Sequence, residues 1–230
     1  MDTINQIKLL NIFKDVNETT LDKILSIGKV VEYPKKTMLI RTREKPNFIY
    51  IQLSGKSVQY EVTFNGKRKV FFVLGEGDLL NGNVFNNKSS AMHCETIEKS
   101  RFIVIPVNKF SEIMASDFAL TRNVIYLQEQ KIWKLSRHLI NTSSSISLEK
   151  RLVAKLWKMS LDFGKDTKEG REIDMNLSIT LLADLLGAPR ESVSRICSKL
   201  IEDKYIIIDK KRFTIIDPDH FRNYYKNEVN

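Results

Sequence analysis

Arg190, Glu191, Ser194 and Arg195 carry the side-chain chemistry that reads DNA bases. A guanidinium can donate two hydrogen bonds to guanine O6 and N7, and a carboxylate can accept one from cytosine N4. Glu191 is the informative member. A carboxylate set against phosphates is repelled, so its place between two arginines points to base edges rather than to the DNA backbone. Val193, Ile196, Cys197 and Leu200 recur at helical spacing as an inward stripe. The four polar residues then fall on the opposite face, near the helix N-terminus, where a recognition helix meets the major groove.

The flanking residues predict the elements that hold this face. Ser178 suits a helix N-cap, and Leu181, Leu182, Leu185 and Leu186 supply the buried side of a first helix, with small Ala183 where helices approach. Gly187 suits a left-handed C-terminal position, and Pro189 suits the first turn of the next helix. Tyr205–Ile208 and Phe213–Ile216, joined by Asp209-Lys210-Lys211-Arg212, read as a β-hairpin wing. Lys199, Lys211, Arg212 and the hydroxyls of Ser178 and Ser192 are the candidates for phosphate contact. The expected partner is double-stranded DNA.

Net charge adds little to this reading. The 230-residue chain is +9, but residues 1–141 hold 21 Lys and Arg against 14 Asp and Glu (net +7), whereas residues 142–230 hold 16 against 14 (net +2). The excess lies mostly outside the helix-turn-helix half, so local placement carries the argument.

Upstream, the pattern changes character twice. Residues 4–28 read as short helices, and from about Val30 to Val107 short Val, Ile, Phe and Tyr-rich segments alternate with turns. Asn65-Gly66 predicts a two-residue hairpin loop. Such strands suggest a small barrel or jelly roll. A long helix follows from about Asn108 to Ile140, interrupted near Ser116-Asp117. In it Phe118, Thr121, Ile125, Gln128, Ile132, Leu135 and Leu139 step by three and four, which fits a dimer seam, or a helix packed on its own barrel. Asn141–Ser145 is the hinge candidate, Ser147 caps the next helix, and Gly164–Arg171 reads as a charged loop. The expected class is α+β: 1–118 a β-barrel unit with N-terminal helices, 119–142 the dimerisation helix and hinge, 143–230 the winged helix-turn-helix.

The run Ile179–Asp217, centred on Gly-Ala-Pro-Arg-Glu-Ser-Val-Ser-Arg, resembles the winged helix of the cAMP receptor protein and fumarate–nitrate regulator (CRP/FNR) superfamily. The resemblance extends upstream through the Gly75-Glu76-Gly77-Asp78 turn with Gly82, the Pro106–Phe110 segment and the long helix. It implies a homodimeric transcription regulator with a cupin-like, effector-sensing jelly roll, a palindromic operator and contact with RNA polymerase. By position, Arg190, Glu191 and Arg195 resemble the base-reading trio of the cAMP-responsive branch, and Glu191, Ser194 and Arg195 the set of the oxygen-responsive branch. The half-site expected is therefore of TGTGA or TTGAT type. Pro189 departs from the family's usual Ser or Thr.

The sensor departs further. Where the resemblance implies a Gly-Glu pair for a ribose and an Arg-Ser pair for a cyclic phosphate, this chain has Gly82-Asn83 and Ser89-Ser90-Ala91. A buried phosphate without Arg lacks its bidentate partner, so cAMP is not the expected ligand. Asn83, Ser89 and Ser90 remain candidates to line a pocket for another small-molecule effector, and a vestigial pocket in a constitutive regulator is the alternative.

Two cysteines, Cys94 and Cys197, cannot supply the four thiolates of an iron–sulfur cluster, and both read as reduced core residues. His93 beside Cys94 does not make a haem site, because strand neighbours point to opposite faces. A cupin-type enzyme needs a His and carboxylate cluster on its strands, and His93 stands alone there. No metal or cofactor set, signal segment or apolar run long enough to span a membrane is visible, so a cytoplasmic, non-enzymatic protein is expected.

Overall fold

A computed structural model describes residues 3–82, 88–143 and 146–226. The chain divides into two compact units, Met1–Glu61 with Phe71–His138, and Val62–Val70 with Leu139–Asn230.

The first unit begins with helices α1 (Thr3–Lys8) and α2 (Glu18–Ile27). Strands follow: β1 (Lys29–Tyr33), β2 (Met38–Ile40), β3 (Phe48–Ser54), β4 (Ser57–Val62), β5 (Arg68–Leu74), β6 (His93–Thr96) and β7 (Ser100–Pro106). They form two sheets, ordered β1-β7-β3 and β2-β6-β4-β5. The expected barrel is thus open: the strands make a two-layer jelly roll whose sheets are not joined by hydrogen bonds at their edges among the described residues.

Strand alternation decides what each layer packs on. Ile49, Ile51 and Leu53 of β3 and Ile103 and Ile105 of β7 face one way, into a core shared with Ile12, Phe13 and Ile24. Phe102 of β7 faces the other sheet, packing with Ile40, Phe72, Leu74 and Cys94. Tyr33, Tyr50 and Val104 border that second core.

Helix α3 (Val107–Ser116) ends at Asp117, and α4 (Phe118–Ser143) follows at once. Asp117 causes the interruption the sequence predicts. Its carboxylate accepts from the amides of Ala119 (2.9 Å) and Leu120 (3.2 Å), capping α4, and from the backbone and side-chain nitrogens of Asn17 (both 3.1 Å). Burial pushes this carboxyl up, but hydrogen bonds from Thr20, Asn17, Leu120 and Ala119 outweigh it and hold it below the usual aspartate value.

The β4–β5 connection differs from the two-residue loop expected. Thr63 and Lys67 close it (Thr63 N to Lys67 O, 2.8 Å), Gly66 N bonds to Thr63 O at 2.8 Å, and Gly66 has φ +70° while Asn65 is not left-handed. This is a three-residue loop with glycine as its left-handed residue. The Asn-Gly signal marks the hairpin but is offset by one position, because a turn closed by Gly66 N and Thr63 O precedes the left-handed glycine.

The second unit contains α5 (Leu148–Phe163), β8 (Gly164–Thr167), β9 (Gly170–Ile173), α6 (Ile179–Leu186), α7 (Arg190–Glu202), β10 (Ile206–Asp209), β11 (Arg212–Ile215) and α8 (Pro218–Lys226). Ser147 caps α5, its hydroxyl accepting from Lys150 N. The charged segment read as a loop is instead the β8–β9 hairpin. It extends the wing into a four-stranded sheet, β10-β11-β9-β8, with Phe213 opposite Ile173. Lys165, Asp166, Arg171 and Glu172 lack apolar alternation because most of this hairpin stays wet, which hid it from pattern reading. Of the hinge candidate Asn141–Ser145, residues 141–143 continue α4 rather than break it, and residues 144 and 145 lie outside the described residues.

Candidate nucleic-acid interface

Helices α6 and α7 assemble as their capping chemistry dictates. Ser178 Oγ accepts from Leu181 N at 3.0 Å, satisfying one of the free amides at the start of α6. Gly187 ends α6 at φ +61°, ψ +39°, the left-handed geometry that glycine adopts at least cost. A guanidinium from α5 also reaches this corner, Arg151 donating to the carbonyl of Leu186. Pro189 stands at the cap of α7 with no side-chain cap bond, its φ of −61° suiting helix initiation. Leu182, Leu185, Val193, Cys197 and Leu200 are buried between these helices and the rest of the unit.

What remains outward on α7 is the predicted reading face. Arg190, Glu191 and Arg195 are exposed, and Ser192 and Ser194 are half-buried. The side chains of Arg190, Glu191 and Arg195 form no ion pair with any described residue, so their donors and acceptors are uncommitted.

The phosphate candidates separate into two groups. Ser178 and Lys211 come together: Leu177 N donates to Lys211 O at 2.9 Å, which seats the wing tip beside the start of α6. Ser178 Oγ already accepts, so its proton can point outward, and the helix N-terminus adds a field that favours an anion. Lys199 and Arg212 are tied internally instead. Lys199 Nζ pairs with Glu149 at 2.9 Å, and Arg212 Nη1 with Asp174 Oδ1. Glu149 also accepts from the Tyr224 hydroxyl. The Tyr224 hydroxyl and the Lys199 ammonium hold the Glu149 carboxyl below its ordinary value.

At the wing tip, Lys210 (φ +44°) and Lys211 (φ +72°) form the two-residue loop between β10 and β11. Two left-handed residues make a type I′ turn, a place where Asn-Gly is favoured. Two lysines there trade backbone comfort for positive charge at the tip.

Sequence reasoning missed three structural groups here. Arg151 and the Glu149–Tyr224 contact depend on tertiary approach and leave no local signal. Helix α8 does leave one: Asp217-Pro218 is an N-cap followed by a first-turn proline, and Asp217 Oδ1 accepts from His220 N at 2.9 Å.

On α4 the predicted seam residues divide. Phe118, Ile125, Ile132 and Leu139 are 77%, 50%, 63% and 65% exposed, seven residues apart. Gln128 and Leu135 turn toward their own unit, Leu135 packing on the core between the two sheets. One face of the helix therefore packs on its own unit, and the face carrying Phe118, Ile125, Ile132 and Leu139 is exposed.

Of the effector candidates, Asn83 lies outside the described residues. Ser89 is exposed, and Ser90 Oγ donates to Met92 O at 2.7 Å. Burial pushes the Cys94 thiol up to about 12 and the Cys197 thiol up to about 11, so neither is a ready thiolate. Among the described residues, no group of three or more His, Cys, Asp or Glu is arranged to hold a metal ion, and no helix is long and apolar enough to cross a membrane.

A winged helix-turn-helix carried behind a two-sheet unit and a long helix defines a class of DNA-binding transcription regulators. Comparison with known families agrees: a Crp-like helix-turn-helix domain matches residues 150–224, and a cyclic nucleotide-binding domain matches residues 30–117. The chain belongs to the CRP/FNR superfamily of transcription regulators. It is 22% identical over 214 residues to "Probable transcriptional regulator flp" of Lacticaseibacillus casei, covering 93% of this chain and 94% of that one. Among solved structures, FixK2 from Bradyrhizobium japonicum superposes with a TM-score of 0.76 at 15% identity, covering 86% of this chain and 96% of that chain. A CooA mutant from Carboxydothermus hydrogenoformans superposes at 0.72 with 18% identity, covering 88% and 89%. These relatives are regulators, not enzymes.

Proposed function

We propose that this regulator acts as a homodimer that reads an inverted repeat with a G·C pair in each half-site, under the control of a small molecule other than a cyclic nucleotide. The observation that carries the reading is the uncommitted outward face of α7, with Glu191 between Arg190 and Arg195 on a helix fixed by Gly187 and Arg151. Arg195 and Glu191 address the guanine and cytosine of one pair, and Arg190 and Ser194 the flanking bases. Ser178 and Lys211 set the register on phosphates, with Ser192 beside them, while Lys199 and Arg212 serve first to brace the domain.

Dimerisation is supported by the heptad of exposed apolar residues on α4, whose burial against a second copy would remove them from water. Two such subunits present two recognition helices and demand half-site centres about 34–36 Å apart. The cyclic-nucleotide reading is disfavoured because Ser90 spends its hydroxyl on Met92 and Ser89 is exposed on the surface, with no arginine in that segment. The two cysteines leave no iron–sulfur ligand set, and contact with RNA polymerase follows from the family role.

The test is fluorescence anisotropy on labelled duplexes bearing TGTGA or TTGAT inverted repeats at physiological salt. The repeat should bind at least 10³-fold tighter than a scrambled duplex, in the range typical of specific recognition. Equal binding to both would overturn the reading.

A further inference from the structure

One polar cluster in the first unit is left over by DNA recognition and by dimerisation. It lies along the segment Leu79–Gly82, where β4 and α4 converge. Lys131 of α4 is half-buried along its stem, and its Nζ donates to Leu79 O at 2.6 Å and to Leu80 O at 3.4 Å, 6.0 Å from the Phe72 ring centroid. Gln59 of β4 is buried, and its Nε2 donates to the same Leu80 oxygen at 2.6 Å. One carbonyl thus gathers an ammonium and an amide.

Two buried side-chain atoms along this segment have no hydrogen-bond partner among the described residues. Gln59 Oε1 is a buried acceptor without a donor, and Gln128 Nε2 is a buried donor without an acceptor. Gln128 sits one helical turn before Lys131 and lies against Gly82, where a Cβ would come within 2.7 Å of its amide nitrogen and oxygen. The absence of a side chain at Gly82 leaves room for that amide against the Leu79–Gly82 segment. Buried polar groups in folded proteins are almost always satisfied, so an orphan donor and an orphan acceptor beside one half-buried ammonium call for a partner.

We infer that Lys131, Gln128 and Gln59 bind a small organic acid whose single carboxylate is flanked by a hydroxyl group. The carboxylate accepts from the Lys131 ammonium and from Gln128 Nε2, and the hydroxyl donates to Gln59 Oε1. Burial lowers the Lys131 pKa, with Asp78 and Cys94 opposing that shift and Lys134 reinforcing it, so an anion that neutralises the ammonium relieves its desolvation. The same surroundings set the class. A phosphate dianion would meet one ammonium with Asp78 nearby, an amino acid would bring a second ammonium to Lys131, and an oxo acid would leave Gln59 Oε1 still without a donor.

This rests on reading the first unit as the sensor, so it is tested without DNA. Glycolate, lactate and glycerate are titrated into the full chain by calorimetry and thermal shift, with pyruvate and inorganic phosphate as comparators. At least one hydroxy acid should bind at least tenfold tighter than pyruvate or phosphate and raise the melting temperature. Lys131→Met should abolish the response. Gln59→Met should bring the hydroxy acid down to the pyruvate level, and it stands as the test if Lys131→Met does not fold. No binding by any of the three hydroxy acids, equal binding of pyruvate or phosphate, or an undiminished response in either variant would overturn the inference. Operator binding is measured separately, so a failure here with specific DNA recognition intact removes the ligand and leaves the regulator, and the reverse result removes the proposed DNA site alone.

Discussion

Arg195 and Glu191 are the residues at which DNA recognition is most exposed to test. Arg195→Ala should weaken operator binding by about 1–3 kcal/mol and relax preference at one base pair, whereas Lys211→Ala should weaken all duplexes alike and lower the salt slope by about one. Competition binding against single-base variants distinguishes the two outcomes. Asp117 makes a different kind of prediction. It caps α4 and holds both nitrogens of Asn17, so Asp117→Ala should cost about 2 kcal/mol in unfolding of the first unit, as a lost cap leaves buried donors unpaired. Because its folded pKa is depressed, its contribution is present in full above the ordinary aspartate value of about 3.9 and is lost as the pH falls through the folded pKa. Urea melts of wild type and variant should therefore converge at strongly acid pH. At this scale the sequence was legible wherever one residue type does one local job, and Ser147, Ser178 and Gly187 all stand where their chemistry required. It was illegible for Lys131, Gln59 and Gln128, which lie up to 72 positions apart in sequence and become a site only when β4, the Leu79–Gly82 segment and α4 meet.

Among the elements, the wing and the long helix carry the consequences. The wing tip keeps Lys210 and Lys211 in left-handed backbone. The double change Lys210→Asn with Lys211→Gly should stabilise the second unit by about 1–2 kcal/mol, since glycine removes most of the left-handed cost. The same change should weaken DNA binding, and a thermal melt read beside an affinity titration shows both signs at once. An unchanged affinity would remove Lys211 from the interface. The wing also shows why part of the fold escaped pattern reading. Its inner hairpin announces itself through the Ile and Phe of β10 and β11, but β8 and β9 are mostly polar and pair through backbone hydrogen bonds that carry no side-chain signature. On α4, spacing by three and four was equally good for a dimer seam and for packing on the sheets. The structure assigns Gln128 and Leu135 to the unit's own side and leaves Ile125 and Ile132 outside.

For the molecule as a whole, dimerisation and DNA reading are one claim. Ile125→Glu with Ile132→Glu places like charges on the exposed stripe of α4 while changing no buried core residue. Sedimentation should show a monomer that retains its fold, and operator affinity should fall by at least 10³-fold, toward the non-specific level, because one recognition helix alone reads half a site. The most direct measurement is selection of binding sequences from a randomised duplex library with the full-length protein at physiological salt. It should return an inverted repeat with half-site centres about one helical turn apart, a G·C pair at the position relaxed by Arg195→Ala, and two protein chains per duplex. Recovery of no enriched sequence, or of an unpaired single site bound by one chain, would contradict it.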